Sequence, residues 1–225
     1  MFAVIFEVHP KQERWDDYLA YAKLLRPDLE GIDGFIDNIR YGSRRRPGWV
    51  LSLSTWREEK ALVRWRTQAR HHGVQEKGRV EVFEDYHLRV GEITSDTAIP
   101  PGQAARAQRL DETEAGPAKA ASLVDIKRPP GLAEDAPAEE LASRLGWRAD
   151  LPDLLAWDVF DAILTPGDLL LLLSWRTDAA ANEADRLFPP HARRRRVRII
   201  RDYGMFDRRE APQYYPEIAN KQTRR

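Results

Sequence analysis

Two stretches decide the fold: "LSLSTWREEKA", Leu51–Ala61, and its faint copy "LLLLSWRTDAA", Leu170–Ala180. Each puts an apolar run of strand length ahead of a Trp-Arg pair and a polar segment able to start a helix. Two more echoes keep the same order. "AVIFEVHP" (Ala3–Pro10) matches "SLVDIKRP" (Ser122–Pro129), and "VFEDYHLRV" (Val82–Val90) matches "IIRDYGMFD" (Ile199–Asp207). The offsets are 119 from Trp56 to Trp175, 118 from Glu7 to Asp125 and 117 from Tyr86 to Tyr203. Anchors in one order at a nearly constant offset describe a unit of about 100 residues present twice.

Working outward, each copy reads β-α-β-β-α-β. In the first, Phe2, Val4, Phe6 and Val8 alternate as a half-buried strand. Trp15, Tyr18, Leu19 and Ala22 follow at helical spacing. "DGFIDNIRY" and "WVLSLST" are strands joined by the turn "SRRRPG". Thr55 and Glu58 have the spacing of a capping box that would open a second helix. "RVEVFEDYHLRV" is the fourth strand, which puts Val80, Val82, Tyr86 and Leu88 on one face. This order is the split-βαβ, ferredoxin-like arrangement, whose sheet leaves one face bare. Two such sheets face to face form a barrel, so the expected fold is α+β, two ferredoxin-like units in one pseudo-dimeric barrel. The expected layout is a first domain over 1–93, a Pro- and Ala-rich linker over 94–119, a diverged second domain over 120–207 and a polar tail over 208–225. In the tail, Tyr214–Tyr215 is the pair able to dock on the body.

The bulk numbers exclude several function classes. Lys plus Arg and Asp plus Glu each total 36 in 225 residues, so no net positive field favours nucleic acid. With no cysteine there is no thiolate catalysis, disulfide or zinc–thiolate site. The start "MFAVIFEVHP" is too short and too soon acidic for a signal peptide, and "DLLLLLSW" is too short to span a bilayer. A cytoplasmic protein acting on a small molecule, without nucleic-acid or membrane partners, is the default expectation.

"L-x-G-I-D-G-F" (Leu29–Phe35), "S-x-S-T-W-R" (Ser52–Arg57), "W-R" (Trp65–Arg66), "H-x-x-x-Q" (His71–Gln75) and the "E-D-Y" of the last strand resemble the antibiotic biosynthesis monooxygenase family of the dimeric α+β barrel superfamily. The likeness covers about residues 1–93 well, and 120–207 only through "SW-R" and "RDY". It implies one of several chemistries. Some members oxidise polyphenols with O2 and no metal or organic cofactor, some bind and open haem, and some are known only as folds.

Candidate residues are weighed against plain packing. Trp56 and Trp175 are core residues first and pocket residues second. Trp65 shares a helical face with Ala61, Leu62 and Ala69; the resemblance makes it a wall of the substrate cavity. His72 and His191 each follow a repeated Trp by 16 residues, so His72 is the candidate general base and His191 its second-half equivalent. His71 is expected to face solvent. Glu7, repeated as Asp125 on an apolar strand face, is a candidate for proton transfer or for an ion pair with Arg. Tyr86 and its repeat Tyr203 point inward and need hydroxyl partners. Asn38 is a candidate for polarising a substrate oxygen. The runs Arg44–Arg46 and Arg193–Arg196 read as solvated surface.

The resulting expectation is cofactor-independent oxidation of a small phenolic or quinol-like substrate by O2. The alternatives are a haem-binding or haem-degrading enzyme and a non-catalytic barrel. In the haem branch the resemblance implies an Asn in strand one, where this chain has Glu7, and a longer spacing than Trp65 to His72. Whether two such pseudo-dimers associate as a homodimer is open.

Overall fold

A computed structural model describes residues 1–144, 150–216 and 218. The first half forms β1 (Phe2–Pro10), α1 (Trp15–Glu30), β2 (Phe35–Ser43), β3 (Val50–Trp56), α2 (Glu59–Thr67), α3 (Ala69–Lys77) and β4 (Phe83–Asp96). The second forms β5 (Ala120–Lys127), α4 (Ala138–Arg144), β6 (Leu154–Ala162), β7 (Asp168–Trp175), α5 (Asp178–Ala184) and β8 (Arg193–Gly204). The strands close one antiparallel barrel in the order β1-β3-β2-β6-β7-β5-β8-β4. Each half contributes a four-stranded sheet of ferredoxin-like order, and the halves join at β2–β6 and β4–β8. The expected pseudo-dimeric α+β barrel is the fold.

Register relates the halves. Phe2 faces Trp56 across β1–β3 as Ala120 faces Trp175 across β5–β7, so the tryptophans are structural counterparts. Both indoles are fully buried, donating to Ser54 Oγ at 2.9 Å and Ser122 Oγ at 3.0 Å. Alternation along each strand then sorts the side chains. Ala3, Ile5, Leu51 and Leu53 meet Leu123, Phe160, Leu170 and Leu172 inside the barrel. Each fully buried Leu, Ile or Phe among them contributes about 1.5–3 kcal/mol. The opposite faces carry the helices.

The barrel interior also holds charge. Glu7 is buried and ion-paired with Arg89 and Arg46; in the same register Asp125 pairs with buried Arg195 at 2.8 Å. Burial raises the Glu7 carboxyl, but Arg89 and Arg46 outweigh it and hold it below its ordinary value. Burial wins at Asp125, whose pKa is raised despite Arg195.

Several expectations change. Both arginine runs clamp other strands and loops rather than being simply solvated, although Arg45 stays exposed. Arg44 pairs with Asp161, Arg46 with Asp158 at 3.0 Å, and Arg45 stacks on Trp157, all across the seam to the second half. Arg193 pairs with Asp96 at 2.7 Å. The capping box does not form: Thr55 lies buried within β3, and α2 starts at Glu59 after an extended Glu58. Residues Gly78–Val82 are a π-helical turn, not strand, so Val80 is exposed. Gly78 permits this turn, because a Cβ there would sit 2.6 Å from the Phe83 ring. The inward stripe of α1 is Tyr18, Leu25 and Leu29, while Trp15 and Leu19 stay outside.

The connection between halves is tied down. Buried Glu92 accepts from the Gln108 and Arg109 amides at 2.8 and 2.9 Å, and β4 itself runs on to Asp96. Among the described residues no helix is long and apolar enough to cross a membrane.

Candidate active site

A cavity of about 650 Å³ lies between the helix-bearing face of the first-half sheet and α1, α2 and α3. Its floor is made by alternate residues of the four strands: Val4 and Phe6, Asn38 and Arg40, Ser52 and Ser54, and Tyr86, Leu88 and Val90. These positions share one face by register.

The helical wall breaks at Gln68. Gln68 adopts an extended conformation that ends α2, then caps α3 by accepting from the His71 amide at 2.6 Å. The break turns His71 back over Trp65, ring centroids 4.0 Å apart and nearly parallel. His71 Nδ1 lies 3.0 Å from the Trp65 carbonyl, one of the acceptors a helix C-terminus leaves open. A carbonyl only accepts, so Nδ1 carries the proton and Nε2 keeps its lone pair. Burial pushes the His71 pKa down to about 4, with His72 adding to the fall against the Trp65 carbonyl. His71 is therefore neutral at pH 7.

At one end of the floor, Tyr86 accepts from Arg79 Nη1 and from Arg208 Nη1, both at 2.6 Å. Two donors fill the hydroxyl's acceptor positions and leave its own proton to give. Tyr203 lines the cavity beside it, and burial, then the Tyr86 charge, lift its pKa to about 12. The segment after β8 completes the wall. Gln213 donates to the Arg66 carbonyl at 3.1 Å, and Tyr215 stacks on His72 and donates to Gln75 at 3.1 Å. Of the expected tail pair, Tyr215 docks and Tyr214 stays exposed.

The sequence candidates divide accordingly. Trp65, Tyr86 and Asn38 line the cavity. Asn38 spends its amide N–H groups on Ser52 Oγ at 2.9 Å and the Leu53 carbonyl at 3.2 Å, leaving its oxygen as an acceptor. It is not arranged to donate to a substrate oxygen. His72 is exposed and engaged with Tyr215; the cavity histidine is its neighbour His71, the one expected to face solvent. Glu7 belongs to the barrel interior, across the sheet from the cavity. Trp56 and Trp175 are core, and His191 is exposed.

Tyr203 is not the counterpart of Tyr86. Val4 pairs with Val90 as Ser122 pairs with Arg196, which aligns Tyr86 with Ala192. Tyr203 instead lies opposite Leu88 across β4–β8, past a bulge, and so reaches the first-half cavity. His71, Arg79 and Arg208 escaped the sequence reading; Gln68 three residues before His71 was the available signal. For a haem, His72 does not fit as axial ligand, since its imidazole lies outside the cavity against Tyr215. Among the described residues no three His, Asp or Glu side chains gather to hold a metal ion.

Comparison with known proteins adds the lineage. The family model "antibiotic biosynthesis monooxygenase" matches residues 1–77. A jasmonate monooxygenase from Pyricularia oryzae is 49% identical over 223 residues, covering 96% of this chain and 99% of its own. Among solved structures, an aldoxime dehydratase in complex with butyraldoxime aligns at TM-score 0.52 and 8% identity, over 88% of this chain and 79% of its own. A crystal structure of an antibiotic biosynthesis monooxygenase aligns at TM-score 0.37 and 16% identity, over 44% of this chain and 100% of its own.

Proposed function

The chain belongs to the antibiotic biosynthesis monooxygenase family, and from that premise we propose that its first-half cavity oxidises a small, largely apolar molecule with O2, without a metal or organic cofactor. The substrate carries a proton acidic enough to leave an electron-rich anion: a phenol, a quinol, or a methylene beside a ketone such as a jasmonate provides. The relative's name points to the last of these. The observation that carries the reading is His71, a neutral base of defined tautomer held against Trp65 in the cavity.

The steps balance without a reductant. His71 Nε2 takes the substrate proton, and the carbanion or phenolate passes one electron to O2. The two radicals combine as a peroxide. For an activated methylene, the peroxide loses water to give a carbonyl, so that CH2 and O2 become C=O and H2O. All four electrons come from the substrate. The apolar floor of Val4, Phe6, Leu88 and Val90 suits both O2 and an apolar substrate body. Trp65 fixes the base, and the Asn38 oxygen orients a substrate donor.

The test is oxygen uptake by purified full-length protein with jasmonate and a panel of quinols and anthrones, using 18O2. The expected result is one labelled atom in product and one in water, with no added flavin, nicotinamide or metal. Turnover that needs any of these would overturn the cofactor-free step, and silence across the panel would overturn the oxidation itself.

A further inference from the structure

Among the described residues the other fully buried arginines have a carboxylate: Arg89 has Glu7 and Arg195 has Asp125, and half-buried Arg46 has both Glu7 and Asp158. Arg79 has none among them. It is 4% exposed and donates to the Tyr86 hydroxyl at 2.6 Å and the Met205 carbonyl at 3.2 Å, and its Nη2 is buried without an acceptor. Arg208, bound to the same hydroxyl, has the Gln213 carbonyl at 2.8 Å and likewise no acid among the described residues. Both guanidinium groups lie 5.3–5.4 Å from the Tyr215 ring centroid. The acids that line the cavity are engaged elsewhere: Glu30 with Arg26, Glu59 with Arg109, Asp168 with Lys127, and Asp37 in the field of Arg193. A buried cation with only neutral partners is costly and favours an anion brought by a ligand.

We propose that Arg79 and Arg208 form an anion site that holds the carboxylate of a small organic acid at one end of the cavity, with the Tyr86 O–H as a third donor. This rests on the reading that the cavity takes the substrate. The planar guanidinium forks match a carboxylate's two oxygens. The apolar floor beyond them selects an acid with a hydrocarbon body over a free inorganic anion. One of the two cations comes from the turn before β4 and the other from the segment after β8, so the site is assembled from parts of the chain far apart in sequence.

The experiment is calorimetric titration of the full chain with jasmonate and octanoate, each against its methyl ester, and with inorganic phosphate. Charge-assisted hydrogen bonds of this kind predict acids tighter than esters by about 10–100-fold. Arg208→Gln removes that preference and leaves ester affinity unchanged, and Arg208→Lys restores part of it. Equal affinity for acid and ester, equal weakening of both by Arg208→Gln, no acid binding at all, or phosphate binding as tightly as octanoate would each overturn the anion site. Acid binding with silence across the oxygen-uptake panel would instead sink the oxidation reading and leave the anion site standing.

Discussion

The two halves share a frame and differ on the face beneath the helices. Where the first half has Ser52 and Ser54, register places Leu171 and Leu173 in the second; where it has Asn38 and Arg40, the second has Trp157 and Val159. The second-half space is filled by these residues with Leu141, Ala181, Ala184 and Phe188. The first is hollow. In a dimer of one short chain, any change that fills one face fills both. Joining the units in tandem removes that link, so one half can be packed solid while the other keeps a cavity.

The sharpest break in the comparison is at the base. His71→Ala is expected to lower kcat by about 10²–10⁴-fold, while His72→Ala leaves oxygen uptake nearly unchanged; the reverse pattern would return the role to His72. Next comes the filled face. Leu171→Ser in the packed half should cost about 3–5 kcal/mol in urea unfolding. The mirror change, Ser52→Leu, should alter stability by only about 1 kcal/mol yet abolish ligand binding. Equal stability costs would mean that the two faces are packed alike.

The barrel interior keeps its buried ion pairs apart from the proposed site. Glu7→Gln leaves Arg89 buried without its charge partner and should destabilise by about 3 kcal/mol, with kcat per folded molecule retained. Loss of kcat with stability intact would make Glu7 a catalytic acid–base. The smallest effects lie in pH. Because Glu7 titrates below its ordinary value when folded, its contribution is full above the ordinary carboxylate range and fades as pH falls through the folded value. Glu7→Gln should therefore flatten the acid limb of stability below about pH 4. Activity should be level from neutral pH downward and fall with an inflection near about 4, where His71 gains a proton.

Much of the frame was legible. The Trp56 and Trp175 anchors, the period-2 strands and the small turns carry their own physics, and the repeated acids announced buried pairs. The site was harder to read. Periodicity ran one helix through Gln68, and that missed break exchanged the expected positions of His71 and His72 relative to the cavity. The "DY" repeat looked like symmetry but matches in sequence only, because β8 runs past the point where its partner pairing with β5 ends. Arg79 and Arg208 belong to no periodic pattern; only tertiary closure brings them to one hydroxyl.

That closure has a consequence for how the protein is made. Arg208 and Tyr215 follow β8 in the chain, yet they wall a cavity whose floor begins at Val4. During synthesis the cavity waits for the residues after β8 to leave the ribosome, so a product cut short there would have every strand of the barrel and still lack an end wall.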